Sequence, residues 1–140
     1  MSNVAARWTA FAPELRSLLR IVAAFVFIQA GTVKLFGWPM AMPGGGTVPL
    51  MSQMGLGASL EVVGGSLLLI GLFTRPVAFI LAGEMAVAYF QFHFPQGLWP
   101  VVNQGQQAVL FCFTWLYFSS AGAGPWSVDA LRKSSPPVSI

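Results

Sequence analysis

Apolar residues run along this chain in four long blocks, at about 17–36, 56–73, 76–93 and 104–121, separated by short stretches rich in Gly, Pro and polar side chains. Each block holds roughly 17–20 residues, enough at about 1.5 Å per residue to cross a hydrocarbon core of about 30 Å. The pattern predicts an all-α, polytopic membrane protein: a bundle of four transmembrane helices forming one domain over residues 1–131. Only Thr74 and Arg75 separate the second and third blocks, and Pro76 suits a first helical turn, so these two form a tight hairpin. The connection at 37–55 contains Pro39 and Gly44-Gly45-Gly46 and reads as a loop with one short interfacial helix over 48–54. Residues 132–140 include Ser-Ser-Pro-Pro and are expected to form a disordered tail.

Composition supports a lipid solvent. Only 8% of the 140 residues are charged, far below the roughly 25% of a soluble domain. The basic residues mark orientation. Arg7, Arg16 and Arg20 precede or open the first block, Arg75 lies in the hairpin turn, and Arg132 and Lys133 lie in the tail. The connections at 37–55 and 94–103 carry no Lys or Arg, so both termini and the hairpin turn are expected in the cytoplasm. Trp8 and Trp126 on that side, with Trp38 and Trp99 on the other, suit two aromatic belts. The net charge of +3 is not gathered on one face, so nucleic acid is not an expected partner; the bilayer is. The first apolar run is too long for a signal sequence and is expected to remain as a helix.

The chemistry lies in the few ionisable groups inside the blocks: Lys34, Glu61, Glu84 and, at the end of the third, His93. A charge at bilayer depth costs roughly 2.5–3.5 kcal/mol on insertion scales, so it must be paired, hydrated or used. Lys34 lies fourteen residues after Arg20 and Glu61 fourteen before Arg75. On antiparallel helices they meet at one depth, near the outer boundary. Glu84 and Gln29 each lie nine residues from an arginine, near the midplane. Gln91, two turns beyond Glu84, and Gln106, opening the fourth block beside Gln107, extend a polar track to an outer mouth with His93. Gly57, Glu61 and Gly65 share one helical face next to Gly64, which points Glu61 toward protein.

Each group has two readings. Lys34–Glu61 is either a structural ion pair or part of a cavity for an anionic or quinone-like head group. Glu84 is either a protonated carboxyl hydrogen-bonded to Gln29 or a proton-accepting group. Met40, Met42, Met51 and Met54 raise the thought of copper, but their spacing is irregular and no metal site is expected. Cys112 reads as a small buried hydrophobe. No haem pair, nucleotide-binding loop or nucleophile motif is present.

Taken in order, Arg20…Phe27…Gly31-x-x-Lys34-Leu35-Phe36, Glu61-x-x-Gly64-Gly65-x-Leu67, Gly71-Leu72-Phe73-Thr74-Arg75-Pro76, Glu84-Met85-Ala86-x-Ala88 with His93, and Gly122-x-Gly124-Pro125-Trp126-Ser127-x-Asp129 resemble the DoxX family. The resemblance covers about residues 15–131. It implies a four-helix protein of the bacterial inner membrane with both termini inside, related to the DoxD subunit of thiosulfate:quinone oxidoreductases. The family's fourth helix often begins Gly-Glu, where this chain has Gly105-Gln106. The resulting expectation is a membrane subunit of a redox-associated system, with other membrane or peripheral subunits as partners. Its polar cavity of Glu84, Gln29 and Gln91 would contact a quinone, a lipid or a partner protein. The alternatives are a non-catalytic structural or assembly subunit and, less favoured, a small-solute transporter. With no redox centre of its own, the chain would be an accessory subunit rather than an enzyme by itself.

Overall fold

A computed structural model describes residues 3–134, and among these every regular element is helical. The order is α1 (Asn3–Thr9), α2 (Ala12–Phe36), α3 (Gln53–Ile70), α4 (Thr74–Ala88), a π-helical turn (Tyr89–His93) and a 3₁₀ turn (Phe94–Gln96), α5 (Pro100–Asn103), α6 (Gln106–Ala121) and α7 (Val128–Ser134). Helix α2 lies along α3, α4 lies along α6, and α3 meets α4. Three helical stretches, Ala12–Phe36, Gln53–Ile70 and Thr74–Gln96, are long and apolar enough to cross a membrane. Helix α6 has 16 residues and is shorter.

Glycine sets the spacing of α3 from its neighbours. A Cβ on Gly31 of α2 would stand 2.6 Å from the Ala58 carbonyl oxygen, and one on Gly65 would stand 2.6 Å from Ile28. On the other side, a Cβ at Gly64 would meet Leu81 of α4 at 2.9 Å. Small residues let backbones approach, and here they allow one helix to contact two others. Phe27, Leu68, Leu81, Trp115 and Phe118 fill the centre, with Trp115 edge-on to Phe27 and stacked on Phe111. Leu18, Leu19, Val22, Phe25, Ile80 and Phe113 face outward. A surface so apolar matches lipid rather than water.

The element boundaries shift from expectation for local reasons. Helix α3 ends at Ile70 because Gly71, at φ 70°, closes it, while the Leu72 N–H bonds back to the Leu67 carbonyl at 2.9 Å. The hairpin turn is therefore Gly71-Leu72-Phe73, and α4 starts at Thr74. The expected helix over 48–54 does not form: Val48 donates its N–H to the Lys34 carbonyl at 2.9 Å, and Ser52, extended, caps α3 through the Gly55 N–H at 3.0 Å. Residues 132–134, expected within a disordered tail, complete α7; the remainder of that tail lies outside the described residues.

One end of the molecule is tied by arginines. Arg20 is fully buried, and its guanidinium donates to the carbonyls of Leu68, Leu69, Ala123 and Trp126. It joins the start of α2 to the end of α3 and to the segment between α6 and α7. Arg16 donates to the Ala121 carbonyl and Arg75 to that of Ser120, so the C-terminus of α6 receives two cations. Ser17, also buried, accepts the Trp126 N–H. Opposite in charge, the Asp129 carboxylate accepts the N–H groups of Phe73 and Thr74, both at 2.9 Å, and caps α4. Burial would raise the Asp129 pKa, but hydrogen bonds from Thr74 and the Phe73 N–H, with the charge of Arg132, outweigh it and hold the carboxyl below its usual range.

Two outcomes follow. Arg20→Met leaves four carbonyls without this donor and is expected to destabilise the protein by about 3 kcal/mol or more, read as a lower thermal midpoint in detergent; Arg20→Lys, lacking the planar fork, recovers only part. Because Asp129 titrates lower when folded, its cap is complete above the unfolded carboxylate pKa of about 3.9 and is lost as pH falls through the folded value. Acid unfolding of Asp129→Asn should lack that component; identical acid profiles would refute the cap.

Candidate functional site

At the end away from the arginines, the charged side chains converge. Lys34 Nζ donates to both oxygens of Glu61, at 2.7 and 2.9 Å. Glu61 is nearly fully buried, whereas the Lys34 side chain remains 31% exposed. The long lysine stem brings its head from α2 to a carboxylate fixed on α3, and the close glycine packing at Gly31 makes the reach short.

The pair forms part of the wall of two cavities. One, of about 650 Å³, lies between α3 and α4. Lys34, Glu61, Glu84, His93, Gln53 and Gln96 supply its polar wall, and Leu56, Leu60, Ile80, Val87 and Phe92 supply its apolar wall. The other, of about 210 Å³, reaches from Lys34, Glu61 and His93 toward Gln104 and Gln107 of the α5–α6 region. Glu84 is within electrostatic range of both Glu61 and Lys34. Its Oε2 is buried and has no hydrogen-bond partner, while Oε1 lies 3.2 Å from where a Cβ on Gly57 would stand. Glycine at 57 therefore leaves the space that the carboxyl uses.

His93 donates through Nδ1 to the Asn103 carbonyl at 3.0 Å, since a carbonyl only accepts. Asn103, fully buried, fastens the same corner: its Nδ2 donates to the Gly97 carbonyl at 2.7 Å and its Oδ1 accepts the Gly105 N–H at 2.8 Å. The π-helical turn Tyr89–His93 leads α4 into this corner. Such turns widen a helix locally and shift the phase of the residues after them.

The expected groups are thus only partly united. Lys34, Glu61, Glu84 and His93 share one cavity. The Glu84–Gln29 hydrogen bond does not form, and Gln29 lines neither cavity. Phe27 and Gly31 are the buried positions of α2 on either side of it, and an offset of two residues, about 200° around a helix, turns Gln29 away from them. Gln91 is exposed, and it exchanges two hydrogen bonds with Gln53, at 2.6 and 3.1 Å, instead of approaching Glu84. Gln106 opens onto a different groove, with Val26 and Leu110, whereas its neighbour Gln107 lines the smaller cavity. Sequence reasoning missed Asn103, Gln53 and the burial of Arg20. For Arg20 a signal existed, because it already sits inside the first apolar block. No group of three or more His, Cys, Asp or Glu side chains is placed to hold a metal among the described residues.

The fold and this cavity define a class: a helical membrane protein with charged side chains enclosed between its apolar helices. The DoxX family pattern matches residues 15–94, a span that contains Arg20, Lys34, Glu61, Arg75, Glu84 and His93, and the chain belongs to that family. A protein of Haemophilus influenzae described as uncharacterized is 42% identical over 125 residues, covering 85% of this chain and 91% of its own length. No solved structure matches.

A double-mutant cycle checks the pair. Lys34→Met strands a buried carboxylate and is expected to cost about 3–5 kcal/mol. Removing both charges with Lys34→Met/Glu61→Leu should cost far less than the two single changes combined. Additive losses in detergent unfolding would show that the two groups act independently.

Proposed function

We propose that this protein is a membrane subunit of a redox-associated system, and that the cavity between α3 and α4 receives an amphiphilic ligand with a quinone-type head group. The observation that carries the reading is Glu84: its side chain lines the cavity, opposite Leu56, Leu60, Ile80 and Val87, and its Oε2 is buried without a protein partner. A buried polar atom in this setting calls for a partner. Quinone head groups present carbonyl oxygens that accept hydrogen bonds and, once reduced, hydroxyls that donate them. Lys34 is a donor on the cavity wall, and His93, whose Nδ1 proton goes to Asn103, presents Nε2 as an acceptor for a reduced head-group hydroxyl. Glu84 is the group to hold or accept a proton at the head-group oxygen. Leu56, Leu60, Ile80 and Val87 suit the apolar ring and tail. A cavity of this volume falls within the usual range for small ligands, about 300–1,000 Å³.

In this reading the chain supplies binding and proton handling, while electrons come from a partner subunit. All four long helices cross the bacterial inner membrane, α6 by virtue of its apolar 16 residues and the adjoining turns. The arginine-bearing end and both termini lie in the cytoplasm, in line with the positive-inside rule. The competing reading is a purely structural subunit; the complete pairing of Lys34 with Glu61 favours it for those two residues, but it gives no reason for the orphan oxygen of Glu84.

Purification in mild detergent, with mass spectrometry of the co-purifying small molecules and chains, tests the proposal. Quinone is expected with the native protein, and at least tenfold less with Glu84→Leu, at unchanged thermal midpoint. Gly57→Val, which crowds the Glu84 carboxyl, should act in the same direction. Equal quinone content in all three proteins, or none in any, would leave the structural reading.

A further inference from the structure

The opposite end of the molecule carries a second, basic cavity that the proposed function does not use. It has two adjoining lobes, of about 510 and 410 Å³, which share Arg75, Gly122, Ala123, Asp129 and Lys133. Arg16 lines the larger lobe and Arg132 the smaller. The basin therefore collects four cations from three places: the N-terminal parts of α2 and α4, and α7.

The anionic side of this basin is already committed. Asp129 is its one carboxylate among the lining residues, and both of its oxygens accept backbone N–H groups at the start of α4. The arginines, in contrast, retain donors. Arg16 gives Nη1 to the Ala121 carbonyl, yet its buried Nε has no hydrogen-bond partner. Arg75 gives Nη1 to the Ser120 carbonyl and lays the rest of its guanidinium against Gly122, where a Cβ would stand 3.3 Å from Nη2. Arg132 is oriented by the face of Phe73, 4.8 Å from the ring centroid. Both arginine forks are thus held by helix-end carbonyls at the rim of apolar helices, a fixed array rather than a mobile charged tail. Exposed Trp8 and Trp126 lie in the segments just before α2 and α7, and tryptophan is enriched where headgroups meet water.

We propose that this basin binds the phosphate of an anionic phospholipid, with Arg16 and Arg75 as the principal donors and Arg132 and Lys133 supplying charge at its edge. A phosphate diester offers two acceptor oxygens to a guanidinium fork. Basic pockets between membrane helices are the setting in which anionic headgroups bind, and each cation near such a surface is worth about a fivefold change in affinity. An acyl chain would continue along the apolar outer face of the bundle. The lipid thereby fixes the α6–α7 segment, which Arg20 also holds, against the start of α2.

Native mass spectrometry of the full-length protein, in nanodiscs mixing phosphatidylglycerol with phosphatidylethanolamine, reads the site directly. Phosphatidylglycerol should be retained in preference to phosphatidylethanolamine. Lys133→Gln, which removes no hydrogen bond of the fold, should lower that preference about fivefold, and Arg75→Gln should lower it further. Inorganic phosphate at millimolar concentration should not displace the lipid. Equal retention of the two lipids, no change with Lys133→Gln, or displacement by free phosphate would each overturn the proposal, the last by showing a site for the free anion.

Discussion

Polar groups enclosed by lipid-facing helices have no water to fall back on, and this constraint organises the whole molecule. Arg20 meets it most fully. Its guanidinium is wholly buried and reaches four carbonyls on two elements distant in sequence. Those carbonyls lie at a helix end and in a loop, where backbone acceptors run short of intrahelical donors, and at Leu68 the guanidinium adds to the bond from the Gly71 N–H. One side chain thus solves two problems, its own burial and the under-bonded carbonyls around it. It also fixes the positions of α2, α3 and the α6–α7 segment at once. Arg16, Arg75 and Asp129 repeat the solution on α6 and α4.

The far end answers the same constraint differently. Lys34 and Glu61 neutralise each other across the α2–α3 contact, whose glycines bring the helices close enough for the salt bridge. His93 is held through Asn103. Glu84, by contrast, keeps a buried oxygen that nothing in the protein satisfies, as Arg16 keeps its Nε at the other end. Local departures from good internal bonding tend to mark places where a protein meets something else. The molecule therefore has one end where arginines and Asp129 tie the helix termini together and another where a buried carboxyl oxygen stays unpaired beside a cavity.

Much of this was legible in the chain. The apolar blocks located all four long helices, and the equal spacing of Lys34 and Glu61 from Arg20 and Arg75 predicted their meeting, because depth along antiparallel helices is simple arithmetic. Azimuth was harder. Gln29 shares a depth with Glu84 but turns away from it, and Gln91 leaves the Glu84 face at a π-helical turn that no residue in Tyr89–His93 announces. Arg20 was read as an orientation marker, since positive charge near a helix end usually stays in water. Its burial depends on Ala123 and Trp126, a hundred residues away, whose approach only the folded chain reveals.

The central claim is that the opening beside Glu84 is a binding place for a polar-headed, apolar-bodied molecule. Photolabelling with an azido-quinone in native membranes, followed by peptide mapping, tests it most directly. The account predicts adducts within residues 53–60 of α3 and 84–96 of α4 and its following turns, abolished by excess unlabelled quinone. Adducts confined to the separate groove beside Val26 and Leu110, or labelling that excess quinone leaves unchanged, would contradict it.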